Sequence, residues 1–338
     1  MYKQNLNPRP LIAGVAGQRI GTRLINGVQS HFAQLRSSGT INITVAATRV
    51  INKGSIYGCW DEIGIGENGR DRVLVDGRTA RFLSEMHAPS ALASTRLGGT
   101  GVAATPLVES ARIWFAHPLS IAPQETAFRE RDPRQVLEVF AKLRSDGGQG
   151  GLVNGGTSTM TVVPSIAVEH AYDDTTTEPP IFIPSVRQQV VNVASANTQL
   201  TEFIKTSNYL RGLVIQQDSD AGEVGDIILA LALRADGDDI IGPGQVTWDN
   251  LQRGQEFEFG GAVFVAGLLN GGSSYLGINF QSGGKLSNIV SPALLNLRLE
   301  MNVQVSAQAG ATNGKIRITI LELERVPGLV AEEIPFPA

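Results

Sequence analysis

Hydrophobic and polar residues alternate with a period of two in several separate stretches of the chain. The cleanest is Leu295–Val305, where Leu295, Leu297, Leu299, Met301, Val303 and Val305 interleave with Asn296, Arg298, Glu300, Asn302 and Gln304. Successive side chains of an extended backbone point to opposite faces, so this pattern predicts a strand with one buried face. At ~3.3 Å per residue it would span about 36 Å, which is tall for a strand. The alternation recurs at Ile41, Ile43 and Val45, at Leu229, Leu231 and Leu233, and at Ile316, Ile318 and Ile320. Apolar stretches at Trp60–Gly66, Ile113–Ala116, Met160–Tyr172 (broken at Pro164), Tyr209–Gln217 and Phe257–Leu269 are further strand candidates. Asn68-Gly69, Asp236-Gly237 and Asn313-Gly314 supply turns between them. Gln135–Leu143 fits a helix or a strand equally well on periodicity.

Helical periodicity is rarer. Arg78–Met86 predicts a short helix, and Thr247–Leu251 the start of another. Near the N-terminus, Ile20, Leu24, Ile25, Val28, Phe32 and Leu35 fall on one side of a helical wheel at about 100° per residue, with Arg19, Arg23, Ser30 and Gln34 opposite. Gly21 and Gly27 each weaken such a helix by up to ~1 kcal/mol relative to alanine. The expectation is an amphipathic helix with a basic polar face. It either packs under the first domain or lies against an anionic surface, membrane or genome.

Asp173–Pro180, DDTTTEPP, is polar and ends in prolines, as a linker does. On either side the order of elements repeats: strands, a turn, a short helix, a glycine-rich excursion and a closing pair of strands. The turn glycine precedes the central apolar helix residue by 13 positions in the first half (Gly69, Phe82) and 14 in the second (Gly237, Leu251). The halves share element order and no residue-level identity. The expected organisation is an N-terminal arm over residues 1–37, a first domain over 38–175, a second over 181–327 and a tail over 328–338. The 38 glycines and a charged fraction of 18% favour an all-β protein over a helical one.

Charge sharpens the picture of the N-terminal region. The chain carries a net charge of −4, which makes no electrostatic case for nucleic-acid binding. Yet residues 1–60 contain Lys3, Arg9, Arg19, Arg23, Arg36, Arg49 and Lys53 and no acid, Asp61 being the first carboxylate. No apolar run approaches the ~20 residues of a membrane-spanning helix. Leu11–Gly17 is too short and too rich in glycine for a secretion signal, so an intracellular product is expected.

Candidate chemistry is sparse. The single Cys59 excludes an intrachain disulfide framework and reads as a small buried hydrophobe. His31, His87, His117 and His170 lie at no metal-ligand spacing, so structural roles are expected. Asp218–Gly222 opens like a calcium loop, but Leu229 stands where the bidentate acid belongs. Asp236, Asp238 and Asp239 read as a solvated turn. Glu256 and Glu258 share one face of one strand, whereas glycosidase pairs come from different elements. The glycines of Ser145–Thr159 lack the lysine and the strand-to-helix setting of a phosphate loop. Arg187 and Arg211 have no aromatic ladder for single-stranded nucleic acid. No Gly-x-Ser-x-Gly elbow exists. No catalytic residue, cofactor or metal is expected.

One stretch carries a resemblance. Arg112–Leu143, RIWFAHPLSIAPQETAFRERDPRQVLEVFAKL, reads as a short strand, a Phe-Ala-x-Pro stop, a Pro-x-Glu-Thr-Ala connector and an apolar strand. It resembles a segment of the first barrel in the double jelly-roll major capsid proteins of tailless, membrane-containing double-stranded DNA phages (tectivirus-like viruses). That resemblance tips Gln135–Leu143 to strand. It implies an all-β chain of two tandem jelly-roll β-barrels with short helices. The chain would trimerise into pseudo-hexameric capsomers that tile an icosahedral shell around an internal membrane. Its partners would be itself, neighbouring capsomers, penton or minor capsid proteins, and the anionic inner membrane surface. No specific nucleic acid is implied. Lys3, Arg9, Arg19, Arg23 and Arg36 would face the membrane, and the loops near 88–105, 145–159 and 270–285 would include outward or inter-capsomer surfaces. The protein would reside in the virion after assembly in the host cytoplasm. The rival reading is a carbohydrate-binding, lectin-like β-sandwich or spike, which would expose aromatics on one face. Trp60, Trp114 and Trp248 are the tryptophans available to it.

Overall fold

The computed structural model describes residues 3–5, 11–24, 28–43, 55–87, 104–116, 127–128, 136–149, 152, 158–174, 180–194, 198–219, 222–223, 225–241, 244–252, 274–280, 289–291, 296–306 and 313–326. The chain divides into two compact units: residues 1–187 with 324–334, and residues 188–323 with 335–338.

The first unit contains β1 (Lys3–Asn5), β2 (Leu11–Ala13), β3 (Arg19–Arg23), β4 (Gln29–Ile43), β5 (Trp60–Glu67), β6 (Arg70–Val75), α1 (Gly77–His87), β7 (Thr105–Trp114), β8 (Leu137–Leu143) and β9 (Ser158–Asp173). One sheet runs β1-β9-β4-β7, with β2 also on β9. The other runs β6-β5-β8-β3. The start of β10 (Phe182–Val193) joins β6 in parallel, with Val186 opposite Val73. The inner faces meet in a core that holds Leu35, Ile41, Ile63, Ile65, Val139 and Ile166. Trp60 Nε1 on β5 donates to Ser37 Oγ on β4 at 2.9 Å, and the Tyr57 hydroxyl donates to the Leu35 carbonyl at 2.6 Å.

Helix α1 begins where the sequence can cap it. Asp76 Oδ1 accepts from the Arg78 and Thr79 amides, satisfying two of the donors that a helix start leaves free. A Cβ at Gly77 would come within 2.1 Å of the Tyr57 carbonyl oxygen, so only glycine fits there. Under α1, the buried Arg81 lies 4.0 Å from the buried Glu109 of β7, which also accepts from Ser55 Oγ.

The second unit contains the end of β10 and β11 (Thr198–Phe203), β12 (Tyr209–Ser219), β13 (Gly222–Glu223), β14 (Ile228–Ala235), β15 (Asp238–Asp239), β16 (Val246–Thr247), β17 (Tyr275–Asn279), β18 (Arg298–Val303) and β19 (Gly314–Arg325). One sheet pairs β13, β12 and β19 in that order, with β17 also on β12. The other runs β11-β18-β14-β15, with β16 on β14. Leu213, Ile215, Leu231, Leu233, Leu299, Met301, Val303, Ile316, Ile318 and Ile320 form an aliphatic core with Trp248.

Several expectations change. The helix expected over residues 20–35 does not form: β3 and β4 occupy that stretch. β4 follows a period of two, burying His31, Ala33, Leu35, Ser37 and Ile41 on one side. β9 and β7 pair with it along both edges, which no isolated helix could match. Of the residues expected as an arm, 3–5, 11–24 and 28–37 are described and hold β1, β2, β3 and most of β4 of the first unit, and position 38 falls inside β4. The two compact units divide between Arg187 and Gln188, within β10. β18 is six residues long, about 20 Å, rather than the expected eleven, and Asn296, two residues before it, adopts a left-handed φ of 56°. Leu229 is exposed, because a register shift between Ile228 and Ala230 turns it out of the alternation that buries Leu231 and Leu233. Gln135–Leu143 does contain a strand, β8. Arg9, His117, Glu256, Glu258, Phe257–Leu269, residues 88–103 and the tail 328–338 lie outside the described residues.

Candidate functional site

The two outer sheet faces of the first unit carry contrasting arrangements of charged and aromatic side chains. On the outer face of the β1/β2-β9-β4-β7 sheet, β4 presents Phe32, Gln34, Arg36 and Ser38. β9 sets Ala171, Glu169, Ala167 and Ser165 beside them, and β7 sets Trp114, Arg112, Ser110 and Val108. β2 adds Leu11 next to Ala167 and Ala13 next to Ser165. At one end Phe32 and Trp114 pack with centroids 4.7 Å apart, and the Arg112 guanidinium lies 5.0 Å from the Phe32 ring and 5.6 Å from the Trp114 ring. Arg112 Nε donates to Gln34 Oε1 at 2.9 Å, and Gln34 Nε2 donates to Glu169 Oε2 at 2.8 Å. The neutral amide thus links a cation to an anion. Burial pulls the Arg112 pKa below its ordinary value, against the raising influence of Glu169.

The opposite outer face of the same unit is built differently. Arg19, Gly21 and Arg23 of β3 stand beside Lys142, Phe140 and Glu138 of β8, and these beside Glu62, Gly64 and Gly66 of β5. A side chain at Gly64 would collide with the Phe140 ring at 2.3 Å, so the glycine makes room for the ring. The Arg19 guanidinium covers that ring at 3.3 Å from its centroid, a cation–π contact. Arg19 Nη1 donates to Asp71 Oδ2 at 3.1 Å and Nη2 to Asp71 Oδ1. The hydrogen bond to Asp71 raises the Arg19 pKa despite desolvation. Lys142 Nζ donates to Glu62 Oε1 at 3.0 Å.

The five basic residues singled out from the sequence therefore do not share one surface. Arg19 and Arg23 lie together on one outer face, and Arg36 lies on the other. Lys3 sits on β1 opposite Tyr172. Arg9 is outside the described residues. What the sequence reading missed is the surface around Arg36, where Leu11 and Trp114 also lie. Its signal was the alternation Phe32, Gln34, Arg36, Ser38, masked by a competing helical period.

Two other features stand out. His31 and His170 are both buried where β4, β9 and β1 meet, and His170 Nε2 lies 2.8 Å from Ser30 Oγ. Burial, and then the charge of His31, push the His170 pKa down to about 4. Burial also lowers that of His31, against the pull of Asp173. In the second unit Arg211, at a register shift in β12, is buried with Nε and Nη2 unpartnered, and desolvation lowers its pKa to about 10. That unit's outer face carries a surface chain of charges: Arg298–Glu300 at 2.7 Å, Glu300–Arg234 at 3.3 Å and Arg234–Asp239 at 2.7 Å. Trp60 and Trp248 are each 2% exposed, so among the tryptophans only the half-buried Trp114 could serve as a sugar platform.

No protein-family model matches the chain. No curated protein matches it either. Solved structures do. The STIV major capsid protein, from Sulfolobus turreted icosahedral virus, aligns with a TM-score of 0.67 at 11% identity over 95% of both chains. The PBCV-1 virus capsid gives 0.62 at 9% identity, over 96% of this chain and 93% of that one. The major capsid protein of bacteriophage PM2 gives 0.59 at 11% identity, over 97% of this chain and all of that one. Identities this low establish the fold: the chain is a double jelly roll, an all-β architecture shared with these capsid proteins.

Proposed function

We propose that the chain is a viral major capsid protein. The observation that carries this reading is the correspondence of the double jelly roll over nearly the full length of both chains, with STIV and PM2 capsid proteins alike. In this reading the protein is structural rather than catalytic. Three chains form a pseudo-hexameric capsomer, and capsomers tile an icosahedral shell in the virion, together with penton or minor proteins, after assembly in the host cytoplasm. Light scattering on the purified protein tests the first step. The expected mass is three times 36.0 kDa. A strictly monomeric or dimeric species across micromolar concentrations would sink the capsid reading.

The shell would enclose an anionic membrane. The acid-free stretch of residues 1–60 supports this part of the reading. Near an anionic bilayer each lysine or arginine contributes about 1 kcal/mol, within a Debye length of ~8 Å. Arg19 is held by Asp71, so on that face the attraction falls to the exposed Arg23, multiplied by avidity across many capsomers. Trimers should float with anionic liposomes at low salt and be released at high salt, and Arg23→Glu should weaken flotation. A wild type that ignores anionic lipid at low salt would end the membrane reading and leave the capsid reading standing.

A further inference from the structure

One end of the first unit gathers buried polar side chains. There Gln29, Ser30 and His31 of β4 and His170 of β9 are all shielded from solvent. His31 stands at a bulge, between the pairs Ser30–Tyr172 and Phe32–Ala171. Its carbonyl accepts from the Phe115 amide at 2.9 Å and the Ala116 amide at 3.1 Å. Ser30 exchanges two backbone hydrogen bonds with Phe128, at 2.7 and 2.9 Å, and its Oγ lies 2.8 Å from His170 Nε2. The His170 ring rests against the Tyr172 ring, with centroids 5.2 Å apart. The strand that borders this corner is β1, whose residues Lys3, Gln4 and Asn5 are in register with Tyr172, Ala171 and His170. Three residue pairs hold β1 to one edge of β9, whereas thirteen hold β4 to the other.

Acid brings charge into this corner, and the surrounding groups receive it poorly. On His31 the Asp173 carboxylate, at the end of β9, favours the charged ring, against desolvation and the amino-terminal charge. On His170 the neighbouring charge is that of His31 itself, which opposes protonation. Glu169, the next carboxylate on β9, is taken by the Gln34 amide at 2.8 Å on the outer face. β1 brings Lys3, a further cation. The end of β7 and Phe128 bring backbone amides and apolar rings. In the facing sheet Glu67 of β5 is held by Arg72 at 2.6 Å, and Arg23 of β3 stands in register with Glu138 of β8. The neutral pair of rings therefore suits the closed corner, and a protonated pair sets two like charges in a site of low dielectric. β1 is the strand whose departure breaks the fewest pairings, and it lies directly beside His170. Residues 1–10 carry Lys3 and Arg9 and no acid.

We propose that the buried His31–His170 pair is an acid-operated latch: protonation undocks β1 from β9 and turns the N-terminal segment into a free basic arm, while the rest of the unit stays folded. The latch belongs to the single chain and stands apart from the capsid reading. Below the ~6.5 of an exposed histidine, proton binding favours the open form. The bias grows down to about pH 4, where the closed form also takes the proton on His170. Between pH 7 and 5 the opening constant of residues 3–5 should rise on the order of 20-fold. Hydrogen exchange of the full-length protein, read by mass spectrometry and corrected for the intrinsic effect of pH on exchange, measures that rise peptide by peptide. Residues 3–5 should lose protection in acid and regain it on return to pH 7, while residues 33–41 of β4 keep theirs throughout. His170→Gln should remove most of the rise, and so should His170→Asn if the longer amide does not fit. The wild type alone decides if neither variant folds. Unchanged protection of residues 3–5 between pH 7 and 5, or a loss that spreads at once through residues 33–41, overturns the latch. A rise undiminished in a folded His170 variant overturns it as well.

Discussion

In the first unit a buried arginine sits near a buried glutamate; in the second a buried arginine has two nitrogens without a hydrogen-bond partner among the described residues. Arg81 of α1 lies near Glu109, whose carboxylate Ser55 also bonds, whereas Arg211 Nε and Nη2 meet no acceptor among the described residues. The two units thus close similar sandwiches with different electrostatic constructions. A buried charge beside its counter-charge is costly to break, because removing one member strands the other. A buried charge alone is already paying its desolvation, so removing it should relieve the unit. Charge buried in the core is therefore no measure of stabilisation until its partner is known.

The largest expected effect tests the paired side. Glu109→Ala should destabilise the first unit by about 3–5 kcal/mol, because it leaves Arg81 buried and uncompensated. Hydrogen exchange read peptide by peptide should show the loss in residues 1–187 and little change in 188–323. Equal loss in both units would mean that they unfold together and that the comparison cannot be made by stability.

Acid should also separate the units. His170 is held near pKa 4, below the ~6.5 of an unfolded histidine, so the neutral ring is favoured in the folded state. Its contribution is fully present above pH ~6.5 and is lost as pH falls toward 4, on the order of 3 kcal/mol in all. The depressed His31 beside it acts in the same direction. Denaturant midpoints measured between pH 7 and 4 should fall for the first unit, and His170→Gln should flatten that slope. A slope unchanged in His170→Gln would assign the acid response to other groups.

Arg211→Met is expected to act with the opposite sign from Glu109→Ala, raising the stability of the second unit by about 1–3 kcal/mol as an unmet buried donor is replaced by apolar atoms. Thermal unfolding checks this, and a clear loss of stability would show that Arg211 has a counter-charge. The smallest effect concerns the half-exposed Arg19. Arg19→Ala should cost about 1 kcal/mol, the scale of a surface cation–π contact with a screened ion pair, and should leave Phe140 uncovered to dye binding.

Much of the second unit was legible in its residues. Leu297, Leu299, Met301 and Val303 alternate in the chain and are all buried on one face of the fold. The turns at Asn68-Gly69 and Asp236-Gly237 take the positive φ values that these residue types tolerate. The N-terminal region was not legible, because Ile20, Leu24, Phe32 and Leu35 satisfy a helical period while residues 31–41 satisfy a strand period. Periodicity alone cannot choose between two periods that both fit. Here the choice falls to β9 and β7, which supply hydrogen bonds along both edges of β4. The candidate surface was obscured for the same reason. Arg19 reads as a free basic residue until β8 brings Phe140 beneath it and β6 brings Asp71 beside it.

The sequence by itself determined the class of the protein: period-two patterning, glycine turns and low charge specify sheets, and a repeated element order specifies two of them in tandem. These are local properties, set by the direction successive side chains take from an extended backbone. Only the tertiary structure decided which basic residues are spent and which are presented. Arg19 and Arg36 are alike as residues in a chain, but one meets a carboxylate and a ring from distant strands and the other meets alanine and serine. That difference depends on the register between strands far apart in sequence, where a shift of one residue exchanges the two faces of a sheet.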